Sequence, residues 1–192
     1  FQRAQKEALP LFETLHKKKD GTIYPVEIQM KGLSIQGVPY MFAIARDITE
    51  RKRIDRKIKA SERNLRLMIH QAPVAIAILR GSNYVVEIVN KHSLELWGRK
   101  ENEVLGKEIL NAMPELNEQG IKALLDDVYQ TGNRFVAKEL PVEILRGNQL
   151  ETVYINFSYE PLYDDNKVIN GIMTVGFDVS DQVKARLKIE AN

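Results

Sequence analysis

The chain has 192 residues, of which 44% are hydrophobic and 28% charged, with a formal net charge of +2 and no cysteine. This composition is that of a globular protein with one domain or two small ones. The lack of cysteine excludes disulfides, thiolate metal sites and cysteine-dependent chemistry, and no apolar run is long enough to span a membrane. Because the chain begins at Phe1 rather than Met, we expect a fragment, and we expect it in the reducing cytoplasm.

The first 48 residues predict a small antiparallel sheet. After the tail of a helix over residues 1–8 come three alternating runs, at 12–16, 24–30 and 38–47. Asp20-Gly21 between the first two runs is a strong hairpin signal, because glycine tolerates a positive φ. Three strands are marginal for a core of their own. We therefore expect an exposed edge that pairs with other chains and an uncovered apolar face, formed by Tyr24, Val26, Ile28 and Met30.

Residues 49–72 predict one long helix. Thr49 is a favourable N-cap whose hydroxyl can accept an amide proton of the first turn. A seam of period 3.5 follows, with spacings of 4, 3, 4, 3 and 4, formed by Ile54, Ile58, Ser61, Leu65, Met68 and Ala72. This seam is typical of a helix that pairs with another helix. Residues 50–66 also carry eight Lys/Arg against three Asp/Glu without interleaved aromatic residues, which favours a solvated flank over nucleic-acid binding.

The remainder of the chain predicts an α+β domain. Its strands are expected at 74–79, 84–89, 135–145, 150–162 and 168–178, and its helices at 91–97, 99–106 and 119–130, with a further helix from residue 180 onward. An internal repeat links this domain to the first 48 residues. When Asp47 is set against Asp178, the apolar positions 24, 26, 28 and 30 fall on 153, 155, 157 and 159.

These features together resemble the PAS family of sensor domains. The resemblance rests on Lys19-Asp20-Gly21-Thr22, Arg46-Asp47-Ile48-Thr49-Glu50-Arg51, Val89-Asn90-Lys91, Leu96-Trp97-Gly98-Arg99, Glu103-Val104-Leu105-Gly106-Lys107, Thr131-Gly132 and Asp178-Val179-Ser180. It implies a five-stranded antiparallel sheet of order 2-1-5-4-3, with short helices on one face and a pocket between. It also implies a module of multidomain bacterial signalling proteins, most often sensor histidine kinases, whose catalytic part lies outside this chain.

The resemblance divides the chain into four segments. Residues 1–48 correspond to the C-terminal half of a first PAS domain, 49–72 to a connecting signalling helix, 73–179 to a complete PAS domain and 180–192 to the start of an outgoing helix. Each Asp-x-Thr/Ser triplet is implied to link a last strand to a helix, so that a shift in the sheet moves the helix. The implied junction residues are Asp47, Thr49, Asp178 and Ser180, and the candidate pocket residues are Asn90, Trp97, Tyr129, Phe135, Asn156 and Thr174.

The ligand of such a pocket stays open. Flavin photoreceptors of the family need a reactive cysteine, so the cysteinyl-flavin adduct is excluded. His-ligated haem is disfavoured, because the predicted helix 119–130 contains no histidine. Non-covalent flavin, a small carboxylate and a fatty-acid-like ligand remain possible. His16, His70 and His92 lack the spacing of a metal site, and no catalytic motif stands out.

Two functions follow from these observations. The first is a sensory and signal-relay module that passes a cue from the pocket or sheet to the flanking helices and on to a kinase or other effector domain. The second is a ligand-free dimerisation or spacer module. In both, we expect a homodimer formed through helix 49–72 and the surfaces of the PAS domain, with no catalytic activity in residues 1–192.

Overall fold

The computed structural model describes residues 11–147 and 149–190. The chain folds into two compact units, Phe1–Leu65 and Arg66–Asn192. The helix predicted over residues 1–8 lies outside the described residues. The boundary between the units falls inside the long helix.

The first unit contains a three-stranded antiparallel sheet of order β1-β2-β3. The strands are β1 (Phe12–Lys17), β2 (Ile23–Ile35) and β3 (Val38–Asp47). The predicted hairpin between β1 and β2 is confirmed: Gly21 has a φ of 92°, and the Asp20 carboxylate accepts the N–H of Thr22 at 2.8 Å. A glycine is needed there because the left-handed region is unfavourable for residues with a Cβ.

One expectation for this sheet was wrong. Val26 and Ile28 are buried and Tyr24 and Met30 are half-buried, so the apolar face of β2 is largely covered. The exposed apolar side chains lie on β3, an edge strand whose second side pairs with no described strand. They are Val38, Tyr40, Met41, Phe42 and Ile44.

The long helix α1 (Thr49–Gln71) has 23 residues and begins where the sequence predicts. None of its residues is buried. The seam residues Ile54, Ile58, Leu65 and Met68 are exposed, whereas Ala72 follows the last residue of the helix and is half-buried. A helix this polar gains little from core packing, so its seam is available to a partner.

The second unit contains the predicted five-stranded antiparallel sheet, in the order β5-β4-β8-β7-β6. Counted within the unit, this order is 2-1-5-4-3. The strands are β4 (Ala75–Arg80), β5 (Val85–Val89), β6 (Phe135–Arg146), β7 (Gln149–Tyr163) and β8 (Ile169–Asp178).

Short helices connect the second and third strands of this sheet. They are α2 (Lys91–Trp97), α3 (Glu101–Val104), α4 (Ile109–Ala112), a 3₁₀ helix (Pro114–Gln119) and α5 (Ile121–Thr131), and α6 (Ser180–Glu190) follows the last strand. The sequence did not predict α4 or the 3₁₀ helix, because one helical turn is too short to show a period. The core lies between these helices and one face of the sheet, with Leu79, Val86, Leu125, Val128, Ile144 and Ile172 fully buried. Each such side chain contributes about 1.5–3 kcal/mol by leaving water.

Candidate signalling joints and ligand cavity

The first strand-to-helix joint consists of Asp47, Ile48 and Thr49. The Asp47 carboxylate accepts the N–H of Thr49 at 2.8 Å. The N–H of Ile48 donates to the carbonyl of Pro25 at 3.1 Å, and the N–H of Lys52 donates to the carbonyl of Ile48 at 3.0 Å. The buried Ile48 is therefore fixed to the sheet by its N–H and to the helix by its carbonyl.

The second joint consists of Asp178, Val179 and Ser180, and its backbone repeats the first. The Asp178 carboxylate accepts the N–H of Ser180 at 2.8 Å. The N–H of the buried Val179 donates to the carbonyl of Tyr154 at 2.8 Å, and the N–H of Val183 donates to the carbonyl of Val179 at 3.0 Å. The strand register also agrees, since Asp47 pairs with Val26 and Asp178 with Ile155. The two joints are thus equivalent in register and in backbone bonding.

The hydroxyl groups of the two joints differ. Ser180 Oγ accepts the N–H of Tyr154 at 2.9 Å and is buried. The equivalent residue of the first unit is Pro25, which has no N–H to donate. There the Thr49 N–H donates to the Asp47 carboxylate, and the Thr49 side chain and, next, this N–H lower the pKa of Asp47. Thr49 and Ser180 are therefore the first residues of their helices, but the side chain that accepts a first-turn N–H is the preceding aspartate in both joints. The expectation that the hydroxyls of Thr49 and Ser180 cap the helices was wrong.

Asn90 holds the other end of the connecting helix, within the second unit. Its side-chain amide N–H donates to the carbonyls of Ile69 at 3.1 Å and Val74 at 2.7 Å. Its side-chain oxygen accepts the N–H of Ile76 at 3.0 Å and the N–H of Ser93 at 2.9 Å. Asn90 is fully buried and forms the N-cap of α2, so one side chain fixes the end of α1, the start of β4 and the start of α2.

A cavity lies between the helices and the inner face of the second sheet. It provides about 70 Å³ of space for the centres of water molecules. Its walls are largely apolar and include Leu79, Leu96, Met113, Leu125, Ile144 and Ile155. Ser93, Trp97, Tyr159 and Thr174 bring the polar side-chain groups. Two predicted pocket residues, Trp97 and Thr174, therefore line this cavity.

The other predicted pocket residues lie outside the cavity lining. Tyr129 stacks edge-on against Tyr84 with ring centroids 6.0 Å apart. Phe135 packs on Phe157 and Tyr159, at centroid distances of 5.8 and 6.2 Å.

Asn156 lies on the opposite face, as its position between Ile155 and Phe157 indicates. Its side-chain oxygen accepts the N–H of Glu139 at 2.6 Å within a β-bulge of β6. Glu139 in turn accepts two hydrogen bonds from Arg186 of α6, at 2.7 and 2.9 Å. Asn156 is therefore placed to support the attachment of the outgoing helix.

The part of the chain that the structure describes holds no cluster of three or more His, Asp or Glu side chains suited to a metal ion. None of its helices is long and apolar enough to cross a membrane.

The sequence matches the PAS domain family over residues 4–50 and 73–181, which together make up most of the chain. The chain belongs to the PAS domain family. PAS domains are sensory modules of signalling proteins and are not themselves catalytic. No curated protein matches the chain.

Solved PAS structures share the fold at low sequence identity. The PAS domain of BvgS from Bordetella pertussis has a TM-score of 0.52 at 19% identity, covering 69% of this chain and 96% of that chain. A PAS domain from Colwellia psychrerythraea has a TM-score of 0.50 at 15% identity, covering 62% and 97%. An RNA-binding light-oxygen-voltage receptor has a TM-score of 0.53 at 11% identity, covering 99% and 84%.

Two features of the PAS domain were missed by sequence reasoning. Arg146 donates to the carbonyl of Leu96 at 3.2 Å and lies 3.8 Å from the Asp178 carboxylate, so it connects the end of α2 with the second joint. A nearly buried ion pair joins Arg99 and Glu115 at 2.7 Å, and Arg99 also bonds the carbonyl of Leu145. Only the Gly98-Arg99 pair, as part of a motif, signalled either feature in the sequence.

Proposed function

We propose that this chain is the sensory and signal-relay module of a multidomain bacterial signal-transduction protein, in which the PAS domain over residues 73–179 passes a cue to the flanking helices. The parent protein is expected to be a cytoplasmic sensor histidine kinase whose catalytic part lies outside residues 1–192. The observation that carries this proposal is the repeated joint. The same backbone bonds lead from the last strand into a helix at both Asp47 and Asp178.

The repeat also supports a domain organisation. Residues 1–48 are proposed to be the C-terminal half of a first PAS domain, because β1, β2 and β3 follow the order and register of β6, β7 and β8. Residues 49–72 then form the signalling helix between the two sensors. Residues 180–192 begin the next signalling helix. In this arrangement, the Asn90 hydrogen bonds are the input of the second sensor and the joint at Asp178 is its output.

A chimaera tests the relay directly. Helix α6 is continued in helical register into the catalytic core of a histidine kinase, and the autophosphorylation rate is the readout. Asp178→Ala and Ser180→Ala should each change this rate about fivefold or more, the lower range of allosteric coupling. The matched control is Asp181→Ala, at an exposed position of the same first turn, which should leave the rate unchanged. Equal rates in all four proteins would refute the relay.

A second candidate, a ligand-free dimerisation or spacer module, is favoured by the exposed seam of α1. Ile54, Ile58, Leu65 and Met68 are about half exposed or more, although their spacing is that of a coiled coil. Light scattering on micromolar protein tests the pairing. Ile58→Glu should convert a dimer to a monomer, whereas Ala60→Glu, with the same charge change off the seam, should not. A monomeric wild-type chain would exclude this dimerisation role.

A further inference from the structure

Three residues that line the cavity of the PAS domain carry hydrogen-bond donors for which no partner is found among the described residues. They are the indole N–H of Trp97 and the hydroxyls of Tyr159 and Thr174. Tyr159 and Thr174 are directly paired across β7 and β8, so their Cβ atoms lie about 4.5–5.5 Å apart on one face. Burial raises the pKa of Tyr159, so its hydroxyl keeps its proton and remains a donor. A ligand that carries a hydrogen-bond acceptor would therefore complement this cavity.

The lining of the cavity carries no charge. No Lys, Arg, His, Asp or Glu is among the residues that line it. The fourth polar side chain, Ser93, already donates its hydroxyl to the side-chain oxygen of Asn90 at 3.1 Å. An ion in this space would lose its hydration without gaining a counter-charge, which is strongly unfavourable. The ligand that fits this lining is therefore uncharged.

The size of the cavity limits the ligand further. One water needs about 10–15 Å³ of this kind of volume, and the cavity provides about 70 Å³. This space holds about five to seven water-sized groups and corresponds to a molecule of about five to seven non-hydrogen atoms. A flavin ring system, a haem and a long acyl chain are all larger.

We propose that the PAS cavity binds a small uncharged organic molecule, whose apolar body fills the space and whose single hydrogen-bond acceptor faces Tyr159 and Thr174. Ketones, ethers and small nitrogen heterocycles belong to this class. Carboxylates and phosphate-bearing nucleotides do not. This inference rests on the sensory function proposed above and names the chemistry of its cue.

Three matched probes test the class on the complete 192-residue chain by NMR titration of labelled methyl and amide groups. Cyclohexanone has the acceptor, methylenecyclohexane has the same shape without it, and cyclohexanecarboxylate adds a charge. Cyclohexanone should shift the signals of Thr174, Leu125 and Ile155. Methylenecyclohexane should bind about fivefold more weakly, which corresponds to one neutral hydrogen bond. Cyclohexanecarboxylate should bind at least about a hundredfold more weakly.

Two tyrosine variants test whether the carbonyl of cyclohexanone accepts a hydrogen bond from the Tyr159 hydroxyl. Tyr159→Phe should weaken cyclohexanone about fivefold and leave methylenecyclohexane unchanged. The control, Tyr154→Phe, removes a hydroxyl from the opposite face of the same strand and should change neither. Equal binding of both uncharged probes, unaffected by Tyr159→Phe, would overturn the assigned acceptor. Tight binding of the carboxylate would overturn the uncharged class.

The absence of binding by all three probes would overturn the ligand itself and favour the ligand-free module. None of these outcomes depends on the kinase chimaera. Failure of the ligand class and failure of the relay are therefore separate results.

Discussion

The two strand-to-helix joints share a register, an aspartate acceptor and a buried aliphatic residue, yet they are attached to the sheet differently. At the second joint, Tyr154 is bonded through both its carbonyl, to Val179, and its N–H, to Ser180. At the first joint, Pro25 is bonded through its carbonyl alone, to Ile48. At the neighbouring strand, one outgoing helix is bonded to the backbone at two points and the other at one. Side-chain ion pairs also attach each helix to its own sheet, Arg51 with Glu27 and Lys52 with Glu13 in the first unit and Arg186 with Glu139 in the second.

This difference shows that the Asp-x-Thr/Ser triplet alone does not determine how firmly a PAS sheet holds its helix. We expect the residue on the neighbouring strand to control whether the hydroxyl bonds the sheet. With a proline there, Thr49 stays exposed and its hydroxyl has no N–H of the strand to accept. With a tyrosine there, Ser180 is buried against the strand. We expect the helix after the second joint to follow a displacement of its sheet more closely than the helix after the first joint does.

If single side chains fix the ends of helices, the largest loss of stability should follow the substitution of Asn90. Asn90→Ala removes the partners of four backbone groups around a fully buried position. The free energy of unfolding of the second unit should fall by about 3 kcal/mol or more. The fluorescence of Trp97, the only tryptophan, reports this unfolding in urea.

Asn133→Ala is the control for this measurement, because Asn133 is exposed. It should change the free energy of unfolding by less than about 0.5 kcal/mol. A loss of similar size in both variants would contradict the account of Asn90.

The two hydroxyls should differ in their contribution to stability. Ser180→Ala leaves the N–H of Tyr154 without its acceptor and should lower the free energy of unfolding by about 1–3 kcal/mol. Thr49→Ala removes an exposed hydroxyl and should cost about 1 kcal/mol or less. Urea unfolding followed at Trp97 measures the first, and hydrogen exchange of the slowest β2 amides measures the second. Equal losses would remove the distinction between the joints.

Restoring an N–H at position 25 should make the first joint more like the second. In Pro25→Ala, the new N–H can donate to the hydroxyl of Thr49, as the N–H of Tyr154 does to Ser180. A double-mutant cycle with Thr49→Val should give a coupling of about 0.5–1.5 kcal/mol. The readout is hydrogen exchange in β2. Strict additivity of the two substitutions would show that position 25 does not control the hydroxyl.

The smallest effect concerns pH. Hydrogen bonds from the side chain and then the N–H of Thr49 lower the pKa of Asp47. A depressed folded-state pKa stabilises the joint above the unfolded value of about 3.9, and this contribution is lost as the pH falls through the lower folded value. The NMR shift of the Thr49 amide should therefore titrate with a midpoint below about 3.9, and Asp47→Asn should abolish that titration. A midpoint at or above the unfolded value would disprove the bond.

The sequence predicted the fold well, because strand and helix periods and the repeat around Asp47 and Asp178 are local or pairwise signals. Of the six candidate pocket residues, Trp97 and Thr174 line the cavity and the other four do not, and ligand contact by any of them stays a prediction. The sequence could not predict that Arg146 connects α2 with the second joint, because this contact depends on how an arginine crosses Gly98, where a Cβ would lie 2.6 Å from its side chain.

The roles of Asn156 and Tyr159 were also not apparent. A β-bulge in β6 shifts the register, and this brings the side-chain oxygen of Asn156 to the N–H of Glu139. Tyr159 fits the apolar alternation of β7 so well that its pattern indicates core packing, and only the cavity reveals its unpartnered hydroxyl. Such features arise from tertiary geometry, which a single sequence does not encode in its periodicity.

The most direct test of the two-point attachment is the amide hydrogen exchange of Val183 and Lys52, which occupy the same place in the first turns of α6 and α1. In the wild-type chain, Val183 should exchange about fivefold more slowly than Lys52, the factor that one neutral hydrogen bond provides. Ser180→Ala should bring Val183 to the rate of Lys52. Equal rates in the wild type, or a Val183 rate that Ser180→Ala leaves unchanged, would contradict the account.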